Sequence, residues 1–177
     1  MILYKIIAIQ FLIMSGTIVI FDFSEKSNLQ NWKVVDDGVM GGVSSGNFSV
    51  NKNGNGVFSG GVSLDNNGGF SSLRYNTNKT TFDNQTTFKI RLKGDGKKYQ
   101  FRVKSNSRDR HSYSFTFSTN GNWQEIEIPF SKMKAVFRGR NLDMDNFAGN
   151  QLEEISFLIG NGKAEKFEIL IDFILAI

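Results

Sequence analysis

Phe88-Lys89-Ile90-Arg91-Leu92-Lys93-Gly94-Asp95-Gly96-Lys97-Lys98-Tyr99-Gln100-Phe101-Arg102-Val103-Lys104 is the stretch whose reading decides the fold. Phe88, Ile90 and Leu92 share one face of an extended chain, and Lys89, Arg91 and Lys93 share the other. Beyond Gly94-Asp95-Gly96 the alternation resumes, with Tyr99, Phe101 and Val103 set against Gln100, Arg102 and Lys104. Successive side chains of a strand point to opposite faces, so a period of two over both runs marks half-buried strands. Two such runs joined by a short glycine turn predict a β-hairpin with one buried and one basic face.

The same pattern extends in both directions. Tyr113, Phe115 and Phe117 oppose Ser112, Ser114 and Thr116, and Asn120-Gly121 turns the chain into Trp123, Ile126 and Ile128. A long irregular stretch after Pro129 leads to strands at Ile155–Ile159 and Phe167–Ile174, joined by a loop holding Asn161-Gly162. Toward the N-terminus, Phe70–Tyr75 follows Asn67-Gly68, a dipeptide suited to a two-residue type I′ hairpin turn. Val57–Leu64 follows Asn53-Gly54-Asn55-Gly56, with Phe58, Val62 and Leu64 on one face. Thr17–Phe23 is the first strand, and Ser27 or Asn28 can cap a short turn before Trp32. Short strands at this spacing, without a long helix, predict an all-β domain, a β-sandwich or jelly roll.

Composition agrees. Eighteen glycines against one proline describe many tight turns, and 17 phenylalanines supply core. A chain of 177 residues suits one domain. Net charge +4, with basic residues spread along the chain, suits acidic partners but falls short of a nucleic-acid signature. Cysteine is absent, which excludes disulfides, thiolate metal sites and a cysteine nucleophile.

The N-terminus has its own pattern. Met1 to Lys5 carries one positive charge, Ile6 to Met14 is apolar except for Gln10, and Ser15-Gly16-Thr17 supplies small residues. That order matches a signal peptide over residues 1–16, leaving one domain over 17–177. The alternative is a hydrophobic N-terminal extension, a buried strand or first helix. The run is too short to span a bilayer, so no stable transmembrane span is expected. Export to the periplasm or cell envelope follows from the signal-peptide reading, and a cytoplasmic protein from the alternative.

Two glycine-rich blocks stand out: Asp36-Asp37-Gly38-Val39-Met40-Gly41-Gly42-Val43-Ser44 and Ser63-Leu64-Asp65-Asn66-Asn67-Gly68-Gly69-Phe70-Ser71-Ser72-Leu73-Arg74. Together with Gly94-Asp95-Gly96-Lys97-Lys98-Tyr99, with Phe137-Arg138-Gly139-Arg140 after Pro129-Phe130-Ser131, and with Phe167-Glu168-Ile169, they resemble segments of the complex I intermediate-associated protein 30 family. The resemblance runs over roughly residues 18–177. It implies a galactose-binding-domain-like jelly roll and a non-catalytic role. Mitochondrial members are assembly chaperones that hold intermediates of respiratory complex I by protein contacts. The Arg-rich presequence of mitochondrial import is missing here, which points to a bacterial-type member whose client is unknown.

Candidate chemistry is sparse. His111 is the only histidine, and no G-x-S-x-G nucleophile motif occurs. Asp36 and Asp37 point in opposite directions if extended, so they cannot flank one bond as a glycosidase pair would. Either they cap the glycine-rich loop, or they join backbone carbonyls in a calcium or sugar site. Capping is the preferred reading, with Arg74 expected to pair with Asp36 or Asp37. Asn66 and Asn67 suit a turn or a carbohydrate contact equally. No catalytic residue, cofactor or metal is expected.

Two basic features can serve a partner. One is the expected hairpin face of Lys89, Arg91, Lys93, Arg102 and Lys104, whose simpler reading is a solvated surface opposed by Glu125 and Glu127. The other is Phe137, Arg138 and Arg140 in the long irregular stretch, the preferred protein-binding site. Function therefore reads as a non-catalytic protein-binding or assembly module, then a jelly-roll carbohydrate-binding module, then a hydrolase.

Overall fold

The computed structural model describes residues 16–177, so the candidate signal peptide lies outside the described residues except for Gly16. In chain order the strands are β1 (Ile18–Asp22), β2 (Trp32–Asp36), β3 (Ser45–Val50), β4 (Gly56–Val62), β5 (Ser71–Thr81), β6 (Thr87–Gly94) and β7 (Lys98–Lys104). Then come β8 (Ser112–Ser118), β9 (Trp123–Pro129), β10 (Lys134–Phe137), β11 (Arg140–Asn141), β12 (Gln151–Ile159) and β13 (Glu165–Ala176). They form two antiparallel sheets. One has six strands in the order β3-β4-β13-β6-β9, with β1 also on β13; the other has seven, β11-β10-β8-β7-β12-β5-β2. This is the all-β sandwich that the alternation predicts. Among the described residues no helix is long and apolar enough to cross a membrane.

The central hairpin expectation is overturned. β6 and β7 do not pair: β6 lies between β13 and β9, whereas β7 lies between β12 and β8 in the other sheet. Their apolar faces meet across the sandwich instead, with the Phe88 and Phe101 rings 5.3 Å apart and edge-on. Period-two alternation says which residues face inward. It does not say whether the partner is a strand alongside or a strand opposite. A polar link between the sheets is Asp95, whose carboxylate accepts bonds from the Tyr99 hydroxyl (2.9 Å), the Lys97 ammonium (2.7 Å) and the Glu168 amide (3.0 Å).

A similar correction applies to Asn67-Gly68. Positive φ falls on Asn66 (54°) and Asn67 (60°) within a 3-10 turn over Asp65–Asn67, and the chain then crosses from β4 in one sheet to β5 in the other. Asn120-Gly121 likewise links β8 to β9 across the sandwich. The two-residue turn with positive φ at both positions occurs elsewhere, at Arg138 (47°) and Gly139 (76°), where Phe137 pairs with Arg140. The stretch after Pro129 is therefore not irregular throughout. Leu64, expected to face inward, lies past the end of β4 and is exposed. β2 and β3 were not legible as strands, because glycine, serine and Asp36 interrupt their alternation.

Two aromatic clusters fill the core. Trp32 stacks on Tyr75 at 4.6 Å and touches Phe21, Phe23 and Phe48. Phe82, Phe88, Phe130 and Phe147 pack at centroid distances of 4.5–6.0 Å. Before Trp32, the Asn28 side chain accepts a bond from the Gln30 amide and the Ser27 hydroxyl accepts one from the Ser24 amide, closing the turn. Replacing Asp95 with Ala leaves the Glu168 amide without its acceptor and the Tyr99 hydroxyl with only the Glu168 carbonyl, at 3.2 Å. Loss of a partly buried, charge-assisted acceptor costs about 1–3 kcal/mol, and chemical denaturation of Asp95→Ala should show that loss with an unchanged m value.

Candidate functional site

Asp37 is fully buried, and it joins the two glycine-rich blocks. Its carboxylate accepts bonds from the Ser44 hydroxyl (2.5 Å), the Ser44 amide (3.0 Å), the Gly69 amide (2.6 Å) and the Phe70 amide (3.2 Å). The Ser44 hydroxyl in turn accepts a bond from the Ser63 amide at 3.0 Å. The glycines make room for this: a Cβ at Gly42 would lie 2.3 Å from Asp37 Oδ1, and one at Gly68 would lie 2.6 Å from Oδ2. Burial pushes the Asp37 carboxyl upward, but the Ser44 hydroxyl and the three amides outweigh it and hold the group below the usual carboxylate value.

Asp36 turns the other way. It accepts from the Ser71 hydroxyl (2.5 Å) and the Gly46 amide (3.0 Å), tying β2 to β5 and to β3. The expected ion pair with Arg74 does not form; among the described residues Arg74 has no carboxylate within ion-pair distance. Strand parity is the reason. Ser71 and Leu73 of β5 point inward with Asp36, so Arg74 points outward, in register with Lys33 on one side and Ser156 on the other. Asn66 and Asn67 form the 3-10 turn that delivers Gly69 and Phe70 to Asp37. Among the described residues no group of three or more His, Asp or Glu side chains is placed to hold a metal ion. His111 sits edge-on to Tyr113 at 5.3 Å, with no hydrogen bond to a serine or carboxylate among the described residues.

Phe137, Arg138 and Arg140 come together at the β10–β11 turn. The Arg138 and Arg110 guanidinium groups lie over the Phe137 ring at 5.5 and 5.3 Å, and all three arginines are exposed. Gly139 and Asn141 border a groove of about 300 Å³ on the outer face of the seven-stranded sheet. Arg102, Lys132 and Lys134 also line it, with no carboxylate among its lining residues. Arg102 is half-buried and donates two bonds, at 2.9 and 2.6 Å, to the side-chain oxygen of Gln100. Burial and the neighbouring Arg74 charge hold its guanidinium below its ordinary value.

Lys132 and Lys134 escaped the sequence reading because no alternating run marks them. The expected basic face divides between the two sheets. On the six-stranded sheet Lys89 meets Glu125 at 2.7 Å and Arg91 meets Asp172, so that surface is opposed as the simpler reading had it. Arg102 and Lys104 lie on the other sheet.

The buried carboxylate sets a pH dependence. Because the folded value of Asp37 lies below the unfolded one of about 3.9, its contribution is complete above that value and is lost as pH falls through the folded value. Asp37→Asn should lower stability at neutral pH by about 3 kcal/mol, since amides that served a carboxylate then face a neutral side chain. The difference between the two proteins should narrow in denaturation curves recorded below about pH 4.

A model of the complex I intermediate-associated protein 30 family matches residues 21–171. Among solved structures, the family 11 carbohydrate-binding module of the cellulosomal cellulase Lic26A-Cel5E of Clostridium thermocellum is similar, with a TM-score of 0.65 and 19% identity over 92% of this chain and 94% of that one. The family 11 module from the same organism in complex with a β-1,3-1,4-mixed-linked tetrasaccharide gives 0.62 at 19% identity, covering 92% and 95%. A variant of the family 29 module CBM29-2 gives 0.54 at 14% identity, covering 92% of each chain. At these identities the likeness shows a shared jelly-roll sandwich and nothing of the ligand. The family match spans most of the domain, both glycine-rich blocks and the β10–β11 turn included, and the chain belongs to the complex I intermediate-associated protein 30 family.

Proposed function

We propose that this chain is a non-catalytic protein-binding module of the assembly-factor kind, holding its client through the β10–β11 turn. The observation that carries the reading is the Phe137 ring held beneath two guanidinium groups on an exposed hairpin. Aromatic and arginine side chains dominate the energetics of protein interfaces, and here they project from a loop that the core does not need. Family membership supports the same reading.

A carbohydrate-binding module is the second reading, supported by the likeness of fold. Against it, Trp32 is sealed in the core, and Trp123, 38% exposed, sits under Arg91 on the six-stranded sheet. The groove has no tryptophan or tyrosine on which a sugar ring could stack. A hydrolase has less support still, because Asp36 and Asp37 diverge into separate hydrogen-bond sets.

Crosslinked affinity purification of the tagged chain from its native cells tests the reading, with an Arg138→Ala/Arg140→Ala variant alongside. A defined set of proteins should co-purify and be lost with the variant, whose Tm should stay close to that of the parent because both side chains are exposed. Recovery of no protein above background overturns the reading and puts a glycan screen first.

A further inference from the structure

The register of the seven-stranded sheet lines up one row of side chains across six strands. Lys33 pairs with Arg74, Arg74 with Ser156, Ser156 with Arg102, Arg102 with Ser114, and Ser114 with Lys134. Residues directly opposite one another in an antiparallel ladder share a face. The flanking rows, such as Trp32, Tyr75, Ile155 and Val103, face the core, so this row faces outward.

Among the described residues none of its four cations has a carboxylate within 4.0 Å. The acidic side chains of β12 lie beyond this row: Glu154 is in register with Lys104, and Glu153, at the strand's bulge, accepts bonds from the Ser107 amide and hydroxyl. Arg102, at the centre, is half-buried and bonded only to a neutral amide, with Arg74 close enough to lower its affinity for a proton. Leaving a guanidinium desolvated beside a like charge is unfavourable in the isolated domain. A bound anion would relieve it.

The spacing narrows the anion. Arg74, Arg102 and Lys134 are each two strands apart, with Ser156 and Ser114 between them. Two strand steps are about 9.6 Å, and the whole row spans about 24 Å. A polyproline II segment repeats every three residues, about 9.3 Å, so acidic side chains at every third position would meet successive cations. Nucleic acid carries its phosphates far more densely, and the groove offers no exposed tryptophan or tyrosine for base stacking. A lipid surface would need apolar side chains to insert. The large exposed ones, Val19, Met40, Val43, Leu64, Trp123, Met144 and Ile177, all lie off this row.

We infer that the outer face of the seven-stranded sheet binds an extended acidic segment of a partner protein, laid across the strands with carboxylates on Arg74, Arg102 and Lys134. The inference rests on the protein-binding reading above and adds the partner's chemistry and its path. It also explains why the groove runs up to Gly139 and Asn141 of the β10–β11 hairpin, the feature proposed to grip the client.

The test uses the full chain and a fluorescent peptide of about ten residues, with glutamate at every third position and proline or serine between. The peptide should bind, lose affinity as salt rises, and shift the backbone NMR signals of residues 100–104 and 112–116. Replacing its glutamates with glutamine should abolish binding. Arg102→Met should weaken it by about tenfold or more, and Lys134→Gln should weaken it less, while Lys93→Gln on the opposite sheet should leave it unchanged. Arg102→Met should also raise Tm, as expected for a charge kept for a ligand rather than for the fold.

No binding by the parent protein overturns the inference. So does equal weakening by Lys93→Gln, equal affinity for an isomer with its glutamates clustered at one end, or capture of phosphatidylserine vesicles without peptide binding. A chain that still recovers clients from cells but ignores the peptide overturns this inference alone. One that binds the peptide but recovers no client overturns the assembly reading alone.

Discussion

A single carboxylate, buried and with no cationic partner among the described residues, holds one end of this sandwich together. Asp37 stands where the chain leaves β2, in the seven-stranded sheet, for β3 in the other. Ser44 stands where that crossing ends, and Gly69 and Phe70 stand on the return crossing from β4 to β5. Four donors converging on two oxygens satisfy the charge without an arginine, and each comes from a segment that would otherwise leave polar groups unpaired at the edge of the core. The geometry tolerates no neighbouring Cβ at Gly42 or Gly68, so one glycine of each block follows from the carboxylate they enclose. Asp36 supports the clamp from the other side, closing β2 onto Ser71 and Gly46.

With that end fixed, the two outer faces of the sandwich are free to differ, and they do. On the six-stranded sheet cations and carboxylates are interleaved across strands: Lys89 with Glu125, Arg91 with Asp172. Such exposed pairs contribute little to stability, but they leave no net field. On the seven-stranded sheet the row from Lys33 to Lys134 sets Lys33 directly beside Arg74, has serines between Arg74, Arg102 and Lys134, and includes no acid. A modest net charge of +4 thus includes one row where like charges stand together, whereas Lys89 and Arg91 on the other sheet are each paired with a carboxylate.

Inside and outside were legible from the sequence in β6, β7 and β8, where a period of two encodes them directly, and not in β2 and β3. The partners were not. The basic residues of 89–104 look like one surface along the chain, yet the Gly94-Asp95-Gly96 link carries Arg102 to the opposite side of the molecule from Arg91. The cationic row draws on residues from 33 to 156, and only the ladder register brings them side by side. Arg74 shows the same limit within a single strand. A pairing with Asp36 or Asp37 was expected of it, but Asp36 belongs to the inward phase, and that depends on how β2 pairs with β5. The glycine-rich blocks announced themselves by composition. That they meet around one buried oxygen pair needed the fold.

Similarity of fold to carbohydrate-binding modules and membership of the complex I intermediate-associated protein 30 family pull the functional reading in different directions, and the surface chemistry is what the proposal above weighs between them. A sheet that binds sugars by stacking has to place flat apolar rings outward. In this chain most aromatic residues of the seven-stranded sheet are drawn into the sandwich, Trp32 and Tyr75 stacked on one another and Phe101 and Phe157 packed together, while Phe137 at the β10–β11 turn is covered by guanidinium groups. The row across the middle of the outer face carries arginine, lysine and serine. Such a face adds little to folding, and a half-buried guanidinium such as Arg102 works against it. The aromatic core and the Asp37 clamp supply stability elsewhere, so the fold tolerates that cost, and under the inference above the outer face is kept for a partner.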